Sequence, residues 1–111
     1  MREDGKLDYL ELPGGDLGAV KAFYGSAFGW TFQDYGPTYA AFAEGLDGGF
    51  DGEAEADRPL PVLFARDLEA MAARVEAAGG RIVKPIFAFP GGRRFHFRDP
   101  AGNELAVWSE T

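Results

Sequence analysis

The pattern of apolar and polar residues in the first half of the chain predicts a strand, a helix and three further strands. Residues 7–12 alternate as in a half-buried strand. Asp16 stands where a helix N-cap belongs, because its carboxylate can accept the free N–H groups of the first turn. Apolar residues then recur at helical spacing up to Gly29, which can end the helix in the left-handed conformation. Strands are predicted next at residues 30–33, 38–43 and 48–50.

The second half repeats this order. Residues 60–65 predict a strand, Asp67 caps a second amphipathic helix, and Gly79 and Gly80 end it. A strand at 81–84, a loop at 85–92 and a hairpin of strands at 93–98 and 104–109 follow. The pair Asp16-Leu17 recurs as Asp67-Leu68, which indicates a weak internal repeat of about 50 residues.

These elements predict a single α+β domain built from two paired βαβββ modules. The first module covers about residues 5–52, an acidic linker about 53–58, and the second module about 59–111. A helix covers only one face of its small sheet, so the other faces are expected to be buried together or to line a shared cleft. Small-molecule ligands commonly bind in clefts at the interface between two modules.

Two stretches at opposite ends of the chain carry a family resemblance. The first contains Leu10-Glu11-Leu12-Pro13 and Phe28-Gly29-Trp30, and the second contains Phe95-His96-Phe97-Arg98 followed by Asp99-Pro100-Ala101-Gly102-Asn103. Together they resemble the vicinal-oxygen-chelate superfamily, the glyoxalase/bleomycin-resistance-like proteins, over nearly the whole chain. The resemblance implies a cleft between curved sheets. It also implies a homodimer, with the modules paired within one chain or swapped across two.

The resemblance further implies four metal-ligand positions, at which metal-using members of the superfamily carry His or Glu. Here those positions fall on Tyr9, residues 48–50, Leu60 and Ala106. Zinc and non-haem iron sites need about three protein ligands. We therefore expect neither a metal site nor another cofactor.

Composition narrows the choice of partners. Hydrophobic residues make up 46% of the 111 residues, there is no cysteine, and the formal net charge is −7. So acidic a chain is not expected to bind nucleic acid. No apolar run approaches the roughly 20 residues that span a membrane, and the N-terminus lacks the apolar stretch of a signal peptide. We expect a cytoplasmic protein whose partner is a small molecule.

Alternation along the strands selects the residues that would line the cleft, because successive side chains point to opposite faces. The helix-facing positions are expected to be apolar. Among the positions on the other face, the predicted ligand-binding set is Tyr9, Glu11, Phe64, Arg94, His96 and Trp108.

Two members of this set are also candidate catalytic bases. His96 is expected to hydrogen-bond a neighbour such as Glu104, although His is also the residue best suited to proton transfer near neutral pH. Glu11 fits equally a salt bridge with Arg94 or Arg98 and the recognition of a cationic or hydroxyl-bearing ligand.

The leading functional hypothesis is metal-independent binding of a small organic molecule, as in the antibiotic-binding branch of the superfamily. A metal-independent isomerase or lyase using Glu11 or His96 as the base is the first alternative. A metal-dependent enzyme of glyoxalase or dioxygenase type, and a structural or regulatory domain without a ligand, are the others.

Overall fold

The computed structural model describes residues 2–54 and 57–111. The order of elements is βαβββ followed by βαβββ, which confirms the predicted order. The bounds are β1 Leu7–Pro13, α1 Leu17–Phe28, β2 Gln33–Asp34, β3 Tyr39–Glu44, β4 Leu46–Asp51, β5 Leu60–Phe64, α2 Leu68–Ala77, β6 Arg81–Phe89, β7 Gly92–Arg98 and β8 Glu104–Ser109. Part of the predicted linker, residues 55 and 56, lies outside the described residues.

The described residues fall into two compact units. The α2 unit contains residues 2–8 and 60–111, and the α1 unit contains the described residues from Tyr9 to Pro59. The chain therefore passes from one unit to the other within β1.

In the α2 unit, four strands are ordered β5-β8-β7-β6, with β5 parallel to β8 and the other neighbours antiparallel. The N-terminal segment joins this unit through backbone hydrogen bonds between Phe64 and both Gly5 and Lys6. Helix α2 packs on one face of the sheet. The apolar core there consists of Ala65, Leu68, Phe95 and Val107, with Leu63, Met71, Val75 and Phe97 packed around it.

In the α1 unit, the strand order is β2-β3-β4-β1, and β1 runs parallel to β4. Its core is aromatic. The rings of Tyr24 and Trp30 stack with centroids 4.8 Å apart, and the ring of Phe42 lies 4.9 Å from Trp30 and 5.5 Å from Phe50. None of the described residues of α1 is fully buried, and Phe23 and Phe28 are 57% and 64% exposed.

Both helices begin as predicted. Asp16 accepts a hydrogen bond from the backbone N–H of Ala19, and Asp67 accepts one from that of Ala70. Gly29 ends α1 with φ 73°, which confirms its predicted left-handed conformation. At the end of α2 the cap is Ala78 in a right-handed conformation, and the left-handed residue is Gly79, with φ 104°.

Two predicted boundaries are wrong. The loop predicted at residues 85–92 is largely strand, because β6 continues to Phe89 with register shifts between Ile82 and Lys84 and between Lys84 and Phe87. Pro85 lies at the second shift, and an irregular strand at the end of a sheet tolerates a residue that lacks an N–H. The strand predicted at 30–33 is found only at Gln33–Asp34. Trp30 lies before this strand, and its ring packs in the aromatic core.

Candidate functional site

Strand register in the α2 unit places four of the six predicted ligand-binding residues on one sheet face. Directly paired residues on neighbouring strands share a face. One row across the four strands is Phe64, Trp108, Arg94 and Phe87, and the next row is Val62, Ala106, His96 and Lys84. The alternate residues, among them Phe95 and Val107, pack on α2. The two rows therefore form the face opposite α2, here called the row face.

The first row combines aromatic rings with a guanidinium group. The rings of Phe64 and Trp108 meet edge to face, with centroids 5.5 Å apart. The guanidinium carbon of Arg94 lies 5.4 Å from the ring centre of Phe87 and 5.6 Å from that of Phe89. Such cation–π contacts hold a guanidinium group flat against an aromatic surface. The row thus offers ring faces and a positive charge side by side.

Residues near the N-terminus contact the same row. The indole N–H of Trp108 donates a hydrogen bond of 2.9 Å to Asp8, and the guanidinium group of Arg2 lies 5.0 Å above the indole ring. Asp8 and Arg2 also form an ion pair at 3.1 Å. A groove of about 560 Å³ adjoins Phe64 and is lined by Arg2, Phe64, Arg66, Ser109, Glu110 and Thr111.

Sequence reasoning missed Phe87 and Phe89, because Pro85 made their segment read as a loop. A signal for a strand was present in the apolar residues around Ala88. It also missed Asp8, which lies 100 residues from Trp108 along the chain. Nothing in the local pattern points to so distant a pair.

In the second row, His96 is 4% exposed, and its Nδ1 lies 2.9 Å from a carboxylate oxygen of Glu104. The predicted hydrogen bond to Glu104 is thus confirmed. Burial lowers the pKa of His96, and the positive charges of Arg94 and Lys84 lower it further, while the hydrogen bond to Glu104 opposes the shift. Burial and these charges therefore favour the neutral form of the imidazole.

This arrangement fixes the tautomer of the imidazole. A carboxylate can only accept a hydrogen bond, so Nδ1 of the neutral ring carries the proton and Nε2 is a bare acceptor. Nε2 is buried and has no hydrogen-bond partner among the described residues. An unsatisfied buried polar atom costs about 1–3 kcal/mol. The site therefore gains stability from any donor that reaches Nε2.

The other two predicted residues, Tyr9 and Glu11, belong to the α1 unit. The hydroxyl of Tyr9 lies 2.6 Å from that of Tyr39, which donates a hydrogen bond of 3.5 Å to Glu11. Burial raises the pKa of Tyr9, the hydrogen bond with Tyr39 opposes this, and nearby negative charges including Asp47 raise it further. Tyr9 is therefore a neutral phenol, and the three side chains form a hydrogen-bonded cluster that sequence reasoning had not linked to Tyr39.

The side chains at the expected metal positions do not fit a metal ion. Leu60 and Ala106 carry no ligand atoms, and Tyr9 is bonded to Tyr39. At Gly48 and Gly49 an added Cβ would collide with Phe42 and Tyr39, so neither position has space for a longer side chain. Within the described ranges, no three residues of the types His, Cys, Asp and Glu are grouped so that they could hold a metal ion.

Comparison with known proteins identifies the family. The model of the Glyoxalase/Bleomycin resistance protein/Dioxygenase superfamily matches residues 6–107. The chain therefore belongs to this superfamily, and both the resemblance and the predicted α+β fold class are confirmed. None of the described helices is long and apolar enough to cross a membrane.

Three relatives illustrate the range of the superfamily. In an alignment 124 positions long, gaps included, the chain is 32% identical to the anthracycline biosynthesis protein DnrV of Streptomyces peucetius, and the alignment covers 90% of the chain and 45% of DnrV. It is 27% identical to an Mn(II)-bound glyoxalase from Novosphingobium aromaticivorans, with a TM-score of 0.62 over 92% of the chain and 37% of that protein. A superfamily member from Vibrio splendidus shares the fold, with a TM-score of 0.73, 18% identity, and coverage of 94% of the chain and 99% of its own length. The chain thus spans less than half of the curated relative DnrV.

Proposed function

We propose that this chain binds a small organic molecule on the row face of the α2 unit, and that it does so without a metal ion. The observation that carries the proposal is the alignment of Phe64, Trp108, Arg94 and Phe87 across four neighbouring strands. Aromatic side chains with one well-placed charge are typical of small-molecule sites.

The chemistry of the row favours a planar ligand with an electron-rich oxygen. Aromatic rings attract flat apolar groups, and Arg94 adds a positive charge that is already held against Phe87. A ligand that stacks on Trp108 would displace the guanidinium group of Arg2 from above that ring. The relative DnrV is named for anthracycline biosynthesis, and a role with a small organic molecule is consistent with that name.

The side chains at the expected metal positions support the metal-independent part of the proposal. Tyr9, Leu60 and Ala106 stand where metal-using members of the superfamily carry His or Glu. Elemental analysis of the purified protein, with and without added Zn²⁺, Ni²⁺, Mn²⁺ and Fe²⁺, tests this part. We expect well below one equivalent of each metal. One bound equivalent would overturn metal independence and direct the next assays to glyoxalase and dioxygenase chemistry.

The binding part is tested with a panel of planar carboxylates, phenols and enols. Binding is measured by thermal shift and by quenching of Trp108 fluorescence in a Trp30→Phe background, which leaves one indole. Arg94→Gln is expected to weaken binding at least tenfold. Arg81→Gln is the matched control, because Arg81 lies on the exposed end of β6. Equal affinities for the two variants would overturn the proposed site.

A second candidate function is metal-independent proton transfer, as in an isomerase or lyase. The observation that favours it is the neutral His96 with a bare Nε2, a suitable acceptor for a substrate proton. In an isomerisation, Nε2 would take a proton from one atom of the substrate and return it to another. Loss of turnover in His96→Gln, with ligand binding retained, would distinguish this candidate from simple binding.

A further inference from the structure

His96 carries a buried ring nitrogen on the row face that has no hydrogen-bond partner among the described residues. Its ring is buried, its Nδ1 is bonded to Glu104, and its Nε2 has no partner among the described residues. Buried polar atoms in native proteins are nearly always hydrogen-bonded. Any hydrogen-bond partner of Nε2 has to be a donor, because Nε2 of this tautomer has a lone pair and no proton.

The surroundings of Nε2 narrow the kind of donor. The two neighbours of His96 in its row are Ala106, which has only a methyl group, and Lys84, which is cationic. The ring of Phe87 lies 5.8 Å from the imidazole, and Arg94 lies against that ring. Lys84 and Arg94 repel a cationic donor, and the one carboxylate bonded to this ring, that of Glu104, is engaged at Nδ1. A hydroxyl group on a planar, electron-rich skeleton would therefore be favoured over a cation.

We propose that Nε2 of His96 accepts a hydrogen bond from a weakly acidic hydroxyl of the ligand, of the phenol or enol class, and that Glu104 is the positioning residue that keeps Nε2 free of a proton. This inference rests on the proposed function, since it assigns the ligand class for the same face. An adjacent carbonyl or oxyanion oxygen of the ligand would lie towards Lys84 and Arg94.

The experiment uses the single histidine of the chain as a probe. Because His96 is the only His, its two ring nitrogens give an unambiguous pair of ¹⁵N signals in the intact protein. Free protein is expected to show a protonated Nδ1 and an unprotonated Nε2. Saturation with the phenol-type probe 6-hydroxy-2-naphthoate, whose hydroxyl is too far from its carboxylate to bond to it, is expected to shift the Nε2 signal in the direction of hydrogen bonding. Its methyl ether, 6-methoxy-2-naphthoate, is expected to leave that signal in place.

Affinity provides an independent measurement. The hydroxyl probe is expected to bind at least tenfold more tightly than its methyl ether to the wild type, and this preference is expected to fall to about twofold in His96→Phe. Glu104→Gln is the milder variant, because Glu104 is partly exposed and the change keeps its size. Its amide can donate to Nδ1, so we expect a larger population with a proton on Nε2 and a weaker preference for the hydroxyl probe.

The outcomes separate this inference from the function on which it rests. If Trp108 fluorescence reports binding while the Nε2 signal stays unchanged and the methyl ether binds equally well, the inference is wrong and the binding function stands. If the probes change neither the Trp108 fluorescence nor the Nε2 signal, both are overturned for this ligand class. If free protein already carries a proton on Nε2, the assigned tautomer is wrong and the inference fails without any ligand.

Discussion

The hydroxyl groups of Tyr9 and Tyr39 lie 2.6 Å apart in the α1 unit. The ring of Tyr39 reaches this position by lying over Gly49, whose missing side chain leaves the necessary space. A side chain at position 49 would therefore displace the Tyr39 hydroxyl, which contacts both Tyr9 and Glu11.

Gly49→Ala is expected to destabilise the protein through this contact. An added Cβ would collide with the Tyr39 ring, and overpacking of this kind costs about 1–3 kcal/mol. The loss is expected to shrink below about 0.5 kcal/mol when Gly49→Ala is introduced into a Tyr39→Ala background. Urea unfolding of the four proteins measures this coupling.

Gly48→Ala is the matched control for that cycle. A Cβ at position 48 would meet the Leu10 carbonyl oxygen and the Phe42 ring instead of Tyr39. Its cost is therefore expected to be the same with and without Tyr39. If the cost of Gly48→Ala depends on Tyr39 as strongly as that of Gly49→Ala does, the coupling does not arise from contact between position 49 and the Tyr39 ring.

The raised pKa of Tyr9 is open to direct titration. The chain has four tyrosines, and we expect one of them to ionise above the usual value of 10.0. Tyr9→Phe should remove that late phase from an absorbance titration at high pH. Tyr39→Phe should move it to still higher pH, because the hydrogen bond between Tyr9 and Tyr39 lowers the pKa of Tyr9 and would be lost. A late phase that persists in Tyr9→Phe would assign the raised pKa to another tyrosine.

The helices and their first residues followed from the sequence because the signals are local. Asp16 and Asp67 act on N–H groups three residues away, and Gly29 adopts the conformation that its lack of a side chain permits. The succession of strands along the chain followed from alternation, which also placed Phe64 and Trp108 on a common face.

The rest of the candidate site depends on contacts between distant residues. Tyr39 bonds to a residue 30 positions away, and nothing around it in the sequence singles out that partner. Phe87 was not predicted as a site residue because Pro85 indicated a loop. Whether a proline interrupts a strand depends on whether a neighbouring strand needs an N–H donor at that position. The exposure of Phe28 could not be predicted either, because helical spacing predicts an apolar stripe but not how much of that stripe the sheet covers. The ligand-binding set, the homodimer and the cytoplasmic location stay predictions.

The two N-caps are expected to contribute separately to stability. Asp16→Ala and Asp67→Ala each remove a carboxylate that accepts a backbone N–H, at a cost of about 0.5–2 kcal/mol. Replacement by Asn should recover most of the loss. Glu76→Ala is a suitable control, because an acidic residue in the last turn of α2 gains nothing from the helix dipole. Urea unfolding measures all of these variants, and caps that cost no more than Glu76→Ala would contradict the assignment.

Stability is expected to fall as the pH is lowered from 7.5 to 5.5, and His96 is the reason. Its folded pKa is lowered from the usual 6.5, chiefly by burial, so between the two values the unfolded chain binds a proton that the folded protein does not. Proton binding therefore stabilises the unfolded state as the pH falls through 6.5, and the loss of folding stability levels off below the folded pKa. Asp99 and Glu69 also have lowered pKa values, but their usual values of 3.8 and 4.5 place their titration below this range.

The charged groups facing His96 give the matched variants for this last measurement. His96→Gln keeps a polar side chain without ionisation, and we expect its unfolding free energy to be nearly flat over the same pH range. Lys84→Gln removes one of the positive charges that lower the pKa, so its decline should level off at a higher pH and be smaller. Glu104→Gln removes the negative charge that opposes the shift, so its decline should be larger. A wild-type profile as flat as that of His96→Gln would show that the imidazole titrates alike in the folded and unfolded states, and would contradict its burial as a neutral base.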